Sequence, residues 1–184
     1  MDRMPDRWST HRCVVASIAA ADVAPAQALY EKSVHMTEWD GRTIEPDYVL
    51  RFLNGQADLP PGGTPDRLVL QTVRRAEAAS SAPIGILELY HGYPTERSLY
   101  IGFFFLDPVV RGQGFGREIV ERCRSIAASI GYDDLRVGVA LKNWAALRFW
   151  LHSGFRRAVK VSGDREHGEG AFAMIELSTN GDAE

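Results

Sequence analysis

Apolar positions recur along the chain at a spacing of two in some stretches and three to four in others, and the change of period marks the elements. Residues 13–19 (CVVASIA) are β-branched and apolar and read as a first strand. Asp22 then offers an N-cap, and 26–35 is helix-friendly. A second helix is expected over 46–54, with Pro46 at its first position. Ile44, Tyr48, Val49, Phe52 and Leu53 fall on one side of it. Asn54-Gly55 ends it. Residues 55–66 (GQADLPPGGTPD) hold three prolines and three glycines and form a loop. Ordered loops of this length often carry function.

Strands follow. Arg67–Arg75 and Pro83–His91 alternate, joined by a small-residue connection (AEAASSA), and His91-Gly92-Tyr93-Pro94 turns the chain. Residues 98–106 (SLYIGFFFL) are apolar throughout, which predicts a strand buried on both faces. A helix is expected over 116–130, with Ile119, Val120, Cys123, Ile126, Ala127 and Ile130 as its apolar stripe. Gly131 suits its C′ position. Leu135, Val137, Val139 and Leu141 alternate as a further strand, and Asn143 caps a helix that closes at Gly154. Two last strands, 155–162 and 170–177, flank a polar hairpin. Hairpins mixed with strand–helix–strand units predict an α/β (α+β) fold: a mixed sheet with helices on both faces.

The chain of 184 residues suits one domain, taken as 13–184, behind a polar and charged stretch, 1–12, expected to be flexible. A chain this long can bury about 70% of its unfolded surface, so a core needs no staples. With 45% hydrophobic and 24% charged residues, the composition is that of an ordinary globular protein. A net charge of −3 gives no footprint for nucleic acid. Two cysteines, Cys13 and Cys123, fall short of a disulfide framework or a zinc site, and read as reduced, buried thiols. The longest apolar run, Cys13–Ala21, is about half a membrane span. The first residues lack the apolar stretch of a signal peptide, so the expectation is a cytoplasmic protein with no membrane partner.

Residues 106–117 read Leu-Asp-Pro-Val-Val-Arg-Gly-Gln-Gly-Phe-Gly-Arg, between an apolar strand and an amphipathic helix. Glycines at 112, 114 and 116 permit positive φ and close backbone approach. The helix start aims unpaired N–H groups and a positive dipole end into the loop, an arrangement suited to a phosphate or pyrophosphate. Arg111 and Arg117 can add charged donors. The Lys-Ser/Thr pair of a P-loop is absent, and the G-x-G-x-G spacing is not the dinucleotide fingerprint. A ligand-free glycine turn remains the alternative.

A second cluster, 143–155, reads Asn-Trp-Ala-Ala-Leu-Arg-Phe-Trp-Leu-His-Ser-Gly-Phe. With the loop it resembles the GNAT superfamily of acyl-CoA-dependent N-acyltransferases. The family's loop, [QR]-x-x-G-x-[GA], is filled by Arg111, Gly114 and Gly116. Its later signature, N-x-x-A-x-x-[FL]-[YW]-x-x-x-G-F, is matched by Asn143, Ala146, Phe149, Trp150, Gly154 and Phe155. The resemblance implies a sheet whose adjacent parallel strands, 98–106 and 134–141, splay to seat acetyl-CoA. Backbone amides of Arg111, Gly112, Gln113, Gly114, Phe115 and Gly116, with Arg117 beside them, would take the pyrophosphate. Main-chain groups of Phe105 and Leu106 would pair with the pantetheine arm, and a backbone N–H near Leu106 would meet the developing oxyanion. Asn143 would lie near the arm from the far side, or serve as a plain N-cap; both roles are compatible.

The chemistry implied is direct attack of a neutral amine on the thioester, which needs a base and a proton for the leaving thiolate. Many members of the family carry a tyrosine where this chain has Trp150. An indole N–H cannot act as an acid, so Trp150 is assigned to packing against the cofactor or the core. The proton is left to His152, to a nearby tyrosine, or to none. No carboxylate stands in 98–106, which carries Tyr100 instead, and Asp107 is assigned to the turn with Pro108. Glu88, in the apolar stretch Ile84–Tyr90, is the first candidate base, or else a residue of a solvated face; His91 is the second. Specificity is assigned to the first two helices and loop 55–66, where Glu31, Glu38, Asp40, Glu45 and Asp47 either form an ordinary solvated face, the commoner case, or attract a cationic amine, and Tyr30 and Trp39 either line a pocket or belong to the core. The expected function is acetyl transfer to a primary amine of a small molecule. The alternatives are a non-catalytic acyl-CoA-binding module and a protein or peptide N-acetyltransferase. Members of the family often dimerise, which makes a homodimer the implied assembly.

Overall fold

The computed structural model describes residues 2–40, 43–78, 82–166, 168 and 170–180. Eight strands form one sheet: β1 (Arg7–Ser9), β2 (Cys13–Ser17), β3 (Leu68–Arg75), β4 (Gly85–His91), β5 (Ser98–Leu106), β6 (Asp134–Ala140), β7 (Arg157–Gly163) and β8 (Ala173–Ser178). Their order across the sheet is β1-β2-β3-β4-β5-β6-β8-β7. Neighbours are antiparallel except β5 and β6, which run parallel. The helices are α1 (Val23–Glu31), α2 (Thr37–Asp40), α3 (Tyr48–Leu53), α4 (Phe115–Ser129) and α5 (Trp144–His152). The β5–β6 crossover runs through α4, as parallel pairing requires.

Two apolar layers hold the helices to opposite faces. On one face, Ala26, Leu29 and Val49 from α1 and α3 pack on Leu70, Ile86 and Phe105. On the other, Ile119, Cys123 and Trp150 from α4 and α5 pack on Leu87, Leu99, Leu135 and Phe155. The alternation of β4 explains the split, because Ile86 and Leu87 point to opposite sides. Both cysteines are free and buried, and burial pushes the Cys123 thiol up to about 12.

Five sequence expectations change. Residues 4–12 are not a loose tail: Met4 and Trp8 are buried and β1 pairs with β2. The Trp8 indole donates to Gln71 Oε1 at 2.9 Å, and Gln71 Nε2 donates to the Pro5 carbonyl at 2.9 Å. A polar composition concealed two anchors that only a partner strand reveals. The helix expected over 26–35 occupies 23–31, with Pro25 in its first turn, where a missing N–H costs nothing. Asp22 does not cap it through its side chain; its carboxylate accepts from Ala19 N and Arg74. The helix expected from Pro46 starts at Tyr48. Finally, β5 is not buried on both faces: Gly102 is exposed and Phe103 and Phe104 are half-buried, because β6 leaves its side. Of the connection 76–82, residues 79–81 lie outside the described residues.

Trp8 ties β1 to the body of the sheet. Trp8→Ala is expected to cost about 3–5 kcal/mol, a fall in Tm of about 10 °C. Thermal unfolding followed by circular dichroism measures it, and an unchanged Tm would mean that the N-terminal strand adds nothing.

Candidate active site

Pairing of β5 with β6 runs only from Ser98↔Asp134 to Ile101↔Val137. Beyond that point the strands part, and β5 continues to Leu106 without a strand partner on its β6 side. At the same place β5 carries a bulge: Ile101 pairs with Leu89 and Phe103 with Glu88, so Gly102 is the extra residue. The parting opens a cleft of about 780 Å³, of the size that ligand sites take. Phe104, Phe105 and Leu106 form one wall, and Arg111, Gly112, Gly114, Phe115, Gly116 and Arg117 form its end. Asn143, Ala146, Phe149, Trp150 and His152 form the far wall, with His35, Met36 and Trp39 above. The cofactor residues expected from the sequence come together here. Gln113 alone is turned away, its side chain donating to the Val109 carbonyl at 3.0 Å.

The three glycines serve different needs. Gly112 (φ 74°) and Gly114 (φ 84°) occupy the left-handed region that a side chain disfavours. Gly116 is needed for space, since a Cβ there would stand 3.1 Å from the Phe149 ring. Gly114 is the N-cap of α4, so the first-turn amides of α4 open into the cleft. Arg111 lies over the Phe105 ring at 4.8 Å, and its Nε donates to the Leu106 carbonyl at 2.9 Å. Arg117 is paired with Glu121 at 2.8 Å. Asp107 shapes the turn as expected, accepting from Val109 N at 3.1 Å, and also binds Lys32 of the segment after α1 at 2.6 Å. The Lys32 bond, against the cost of burial, holds the Asp107 carboxyl below its usual range. Asn143 Oδ1 accepts from Ala146 N at 3.0 Å, capping α5 while lining the cleft. Trp150 packs on Phe149 and Phe155, each at 4.9 Å between ring centroids, and also borders the cleft. The His152 Nδ1 is engaged with the Arg148 carbonyl at 2.6 Å.

Glu88 borders a second, smaller cavity of about 70 Å³, with Tyr30, Thr43, Glu45, Tyr48, Gly102 and Phe103 in its walls. Met36 lines both cavities and stands between them. Tyr48 donates to Glu88 Oε2 at 2.5 Å and stacks on Tyr30 at 4.2 Å. Burial and the Glu88 charge raise the Tyr48 phenol well above its ordinary value, so it remains a donor. A Cβ on Gly102 would overlap Glu88 Oε1, so the bulge glycine makes room for the carboxylate. Glu45 is paired with Arg51. Tyr30 and Trp39 line cavities as the sequence suggested, one the smaller and one the larger.

Two expected catalytic residues lie elsewhere. His91 shares the face of Leu87 and Leu89, opposite to Glu88, by the alternation of β4. It is buried, its Nδ1 bonded to Tyr132 OH at 2.9 Å and its Nε2 without a partner among the described residues. Burial, with the Arg3 charge, lowers its pKa to about 4. Tyr100 pairs with Tyr90 before the bulge and packs on Tyr93 at 5.5 Å, beside Gly138. Neither residue lines either cavity. Loop 55–66 lines neither cavity among the described residues; it is latched to Tyr90, whose OH accepts from Thr64 N at 2.7 Å. The residues that the sequence did not single out are Tyr48, Met36 and His35. A tyrosine inside an apolar helix stripe was the one available signal for Tyr48, since a buried hydroxyl needs a partner.

The model of the acetyltransferase (GNAT) family matches residues 57–155, more than half of the chain. The fold is similar to that of an acetyltransferase from Thermus thermophilus (TM-score 0.69, 19% identity, covering 90% of this chain and 95% of the other). It is also similar to spermidine N-acetyltransferase from Vibrio cholerae in complex with CoA and spermine (TM-score 0.68, 16% identity, 90% and 94%). A Salmonella typhimurium structure holding its cofactor acetyl-CoA is a further likeness (TM-score 0.60, 17% identity, 94% and 96%). No curated protein gives a significant match. The chain belongs to the GNAT acetyltransferase family. It is accordingly an N-acetyltransferase of the acyltransferase class, with acetyl-CoA as cosubstrate. The residues present fit that molecule: a cleft of about 780 Å³ beside the open side of β5 ends at the glycine loop and the start of α4, whose amides suit an anion. Among the described residues no helix is long and apolar enough to cross a membrane.

Gly114→Ala is expected to cost about 1–2 kcal/mol through its positive φ and to abolish most of the rise in Tm that saturating acetyl-CoA gives the parent. Differential scanning fluorimetry reads both effects; an undiminished rise would show that the loop backbone takes no part in binding. His91 makes stability pH-dependent. Its folded-state pKa lies below the ordinary value, so between pH 6.5 and about 4 the unfolded chain binds the extra proton and stability falls as pH falls. The loss is complete below about 4 and amounts to roughly 3 kcal/mol. His91→Gln should flatten this part of the Tm–pH curve relative to wild type, and parallel curves for the two proteins would contradict it.

Proposed function

We propose that the protein transfers the acetyl group of acetyl-CoA to the primary amine of a small cationic molecule, with Glu88 as the base. The observation that carries this reading is the Tyr48–Glu88 pair at 2.5 Å, set over Gly102 in the smaller cavity, which shares Met36 with the larger cleft. When bound, acetyl-CoA supplies an activated acetyl carbonyl. Everything else is the work of the chain. The acceptor arrives as an ammonium and is drawn by the carboxylates of Glu88 and Glu45 and by the faces of Tyr30 and Tyr48. Tyr48 holds Glu88 by Oε2 and fixes the carboxylate in the cavity wall, where it takes the ammonium proton directly or through one water. The neutral nitrogen then attacks the carbonyl carbon; the C–N bond forms, the C–S bond breaks, the thiolate leaves, and the nitrogen gives up its second proton to solvent or to the thiolate. Main-chain donors of β5 beyond the bulge are those able to meet the developing negative oxygen. Trp150 offers no proton to the thiolate, which leaves that task to solvent or to His35 and His152, the imidazoles of the larger cleft.

The smallness of the Glu88 cavity, about 70 Å³, favours a slender aminoalkyl group over a folded protein terminus. The relative that holds spermine is consistent with such an acceptor, at an identity too low to transfer it.

The test is release of free CoA thiol across a panel of mono-, di- and polyamines, aminoglycosides and a peptide N-terminus. Turnover is expected with small amines, and Glu88→Gln should reduce kcat by about 10²–10⁴-fold without weakening acetyl-CoA binding. Turnover that survives Glu88→Gln would remove Glu88 as base. Binding of acetyl-CoA with no turnover on any amine would favour a module that binds the thioester without catalysis.

A further inference from the structure

Arg12, in the tight connection between β1 and β2, reaches across more than a hundred residues of sequence to the glycine loop. Its backbone N–H donates to Glu118 Oε1 at 2.8 Å and its Nε to Glu118 Oε2 at 2.7 Å. Its Nη1 donates to the Gln113 carbonyl at 2.9 Å, and the guanidinium covers the Phe115 ring at 4.3 Å. A Cβ on Gly114 would stand 3.3 Å from its Nη2. Two consequences follow from elementary geometry and charge. In a trans peptide the C=O and the next N–H point in opposite directions. Holding the Gln113 carbonyl on Arg12 therefore turns the Gly114 N–H away from Arg12. Glu118 lies in the first turn of α4, where a carboxylate favours the helix but repels an anion placed at the helix start. Arg12 engages both of its oxygens. Burial works against the Glu118 charge, yet hydrogen bonds from Thr10 and Arg12 hold the group below the usual carboxylate range.

We propose that Arg12 is a positioning residue for the pyrophosphate: it fixes the orientation of the Gln113–Gly114 peptide and offsets the charge of Glu118, so that the loop meets the anion already arranged. The N-terminal hairpin is thereby part of the cofactor site, though Arg12 itself points its donors at protein. The proposal rests on the reading that loop 111–116 takes the pyrophosphate of acetyl-CoA.

The experiment compares two probes on the full chain: CoA, and pantetheine, which carries the same arm without the pyrophosphate and the 3′-phosphoadenosine joined to it. Titration calorimetry and the shift in Tm are measured for wild type, Arg12→Ala, Arg12→Lys and Arg12→Ala/Glu118→Gln. Arg12→Ala should raise the Kd for CoA about tenfold or more and leave the response to pantetheine unchanged. Arg12→Lys, which keeps the charge but not the fork, should lose an intermediate amount. The double variant should recover part of the loss, because the repelling carboxylate is gone. Equal weakening of both probes would make Arg12 a merely structural residue and overturn the proposal, as would undiminished CoA binding. Should Arg12→Ala fail to fold, Arg12→Lys decides by the same comparison. A wild-type protein that binds CoA no better than pantetheine would instead bring down the reading of the loop itself.

Discussion

β5 and β6 are the one parallel pair in an otherwise antiparallel sheet, and they stay hydrogen-bonded for only four residue pairs, from Ser98↔Asp134 to Ile101↔Val137. Everything at the site depends on this short contact. Before it, the two strands share a continuous apolar layer with α4, in which Leu99, Ile101, Leu135 and Val137 are almost fully buried. After it, each strand keeps only its outer partner, β4 on one side and β8 on the other. The bulge at Gly102 falls where the parting begins. It increases local twist and breaks the strict alternation of β5. One edge of a well-packed sheet is thus opened in its interior, where main-chain donors and acceptors are held rigidly without a partner strand. A site built on strands keeps its geometry better than one built on loops.

The two cavities differ in the chemistry of their walls. The larger is lined by aromatic and small residues and closed by a helix start, a surface for an extended arm with an anion at its end. The smaller is narrow and carries carboxylates and phenols, a surface for a cation. Met36 is the wall they share. Hydrogen bonds that connect distant segments hold the parts in register: Lys32 to Asp107, Tyr48 to Glu88, and Arg12 to Glu118 and Gln113. Each joins an element from the first third of the chain to the strands, loop and helix that build the site. The first third therefore does more than cover the sheet. Its surface ion pairs add little to stability on their own; in the proposed reading they set where the loop and Glu88 point.

Trp150 shows how a departure from the family's pattern is absorbed. Its ring lies among Phe104, Phe149 and Phe155 and serves the core as well as the cleft wall. A large aromatic side chain at this position keeps the packing, and its indole N–H is a donor that cannot act as an acid.

The sequence by itself determined most of the elements and which residues gather at the larger cleft. Strand and helix periods located β3 to β6, α4 and α5 to within one or two residues, because those segments are long and have one strongly apolar face. The glycine loop and the Asn143–Phe155 segment were legible because their chemistry is local: a turn, a helix start and a cap depend on residues within a few positions of one another. What needed the tertiary structure was every decision made between distant segments. Residues 7–9 read as a polar tail because a strand of three residues has too short a pattern to show a period. The partners that anchor this hairpin, Gln71 for Trp8 and Glu118 for Arg12, lie 63 and 106 positions further along the chain. Glu88 and His91 were both candidates on one strand until the sheet acquired two sides; alternation then put Glu88 beside Tyr48 and buried His91 against Tyr132. Local periodicity reports which residues share a face, but only packing decides what that face meets.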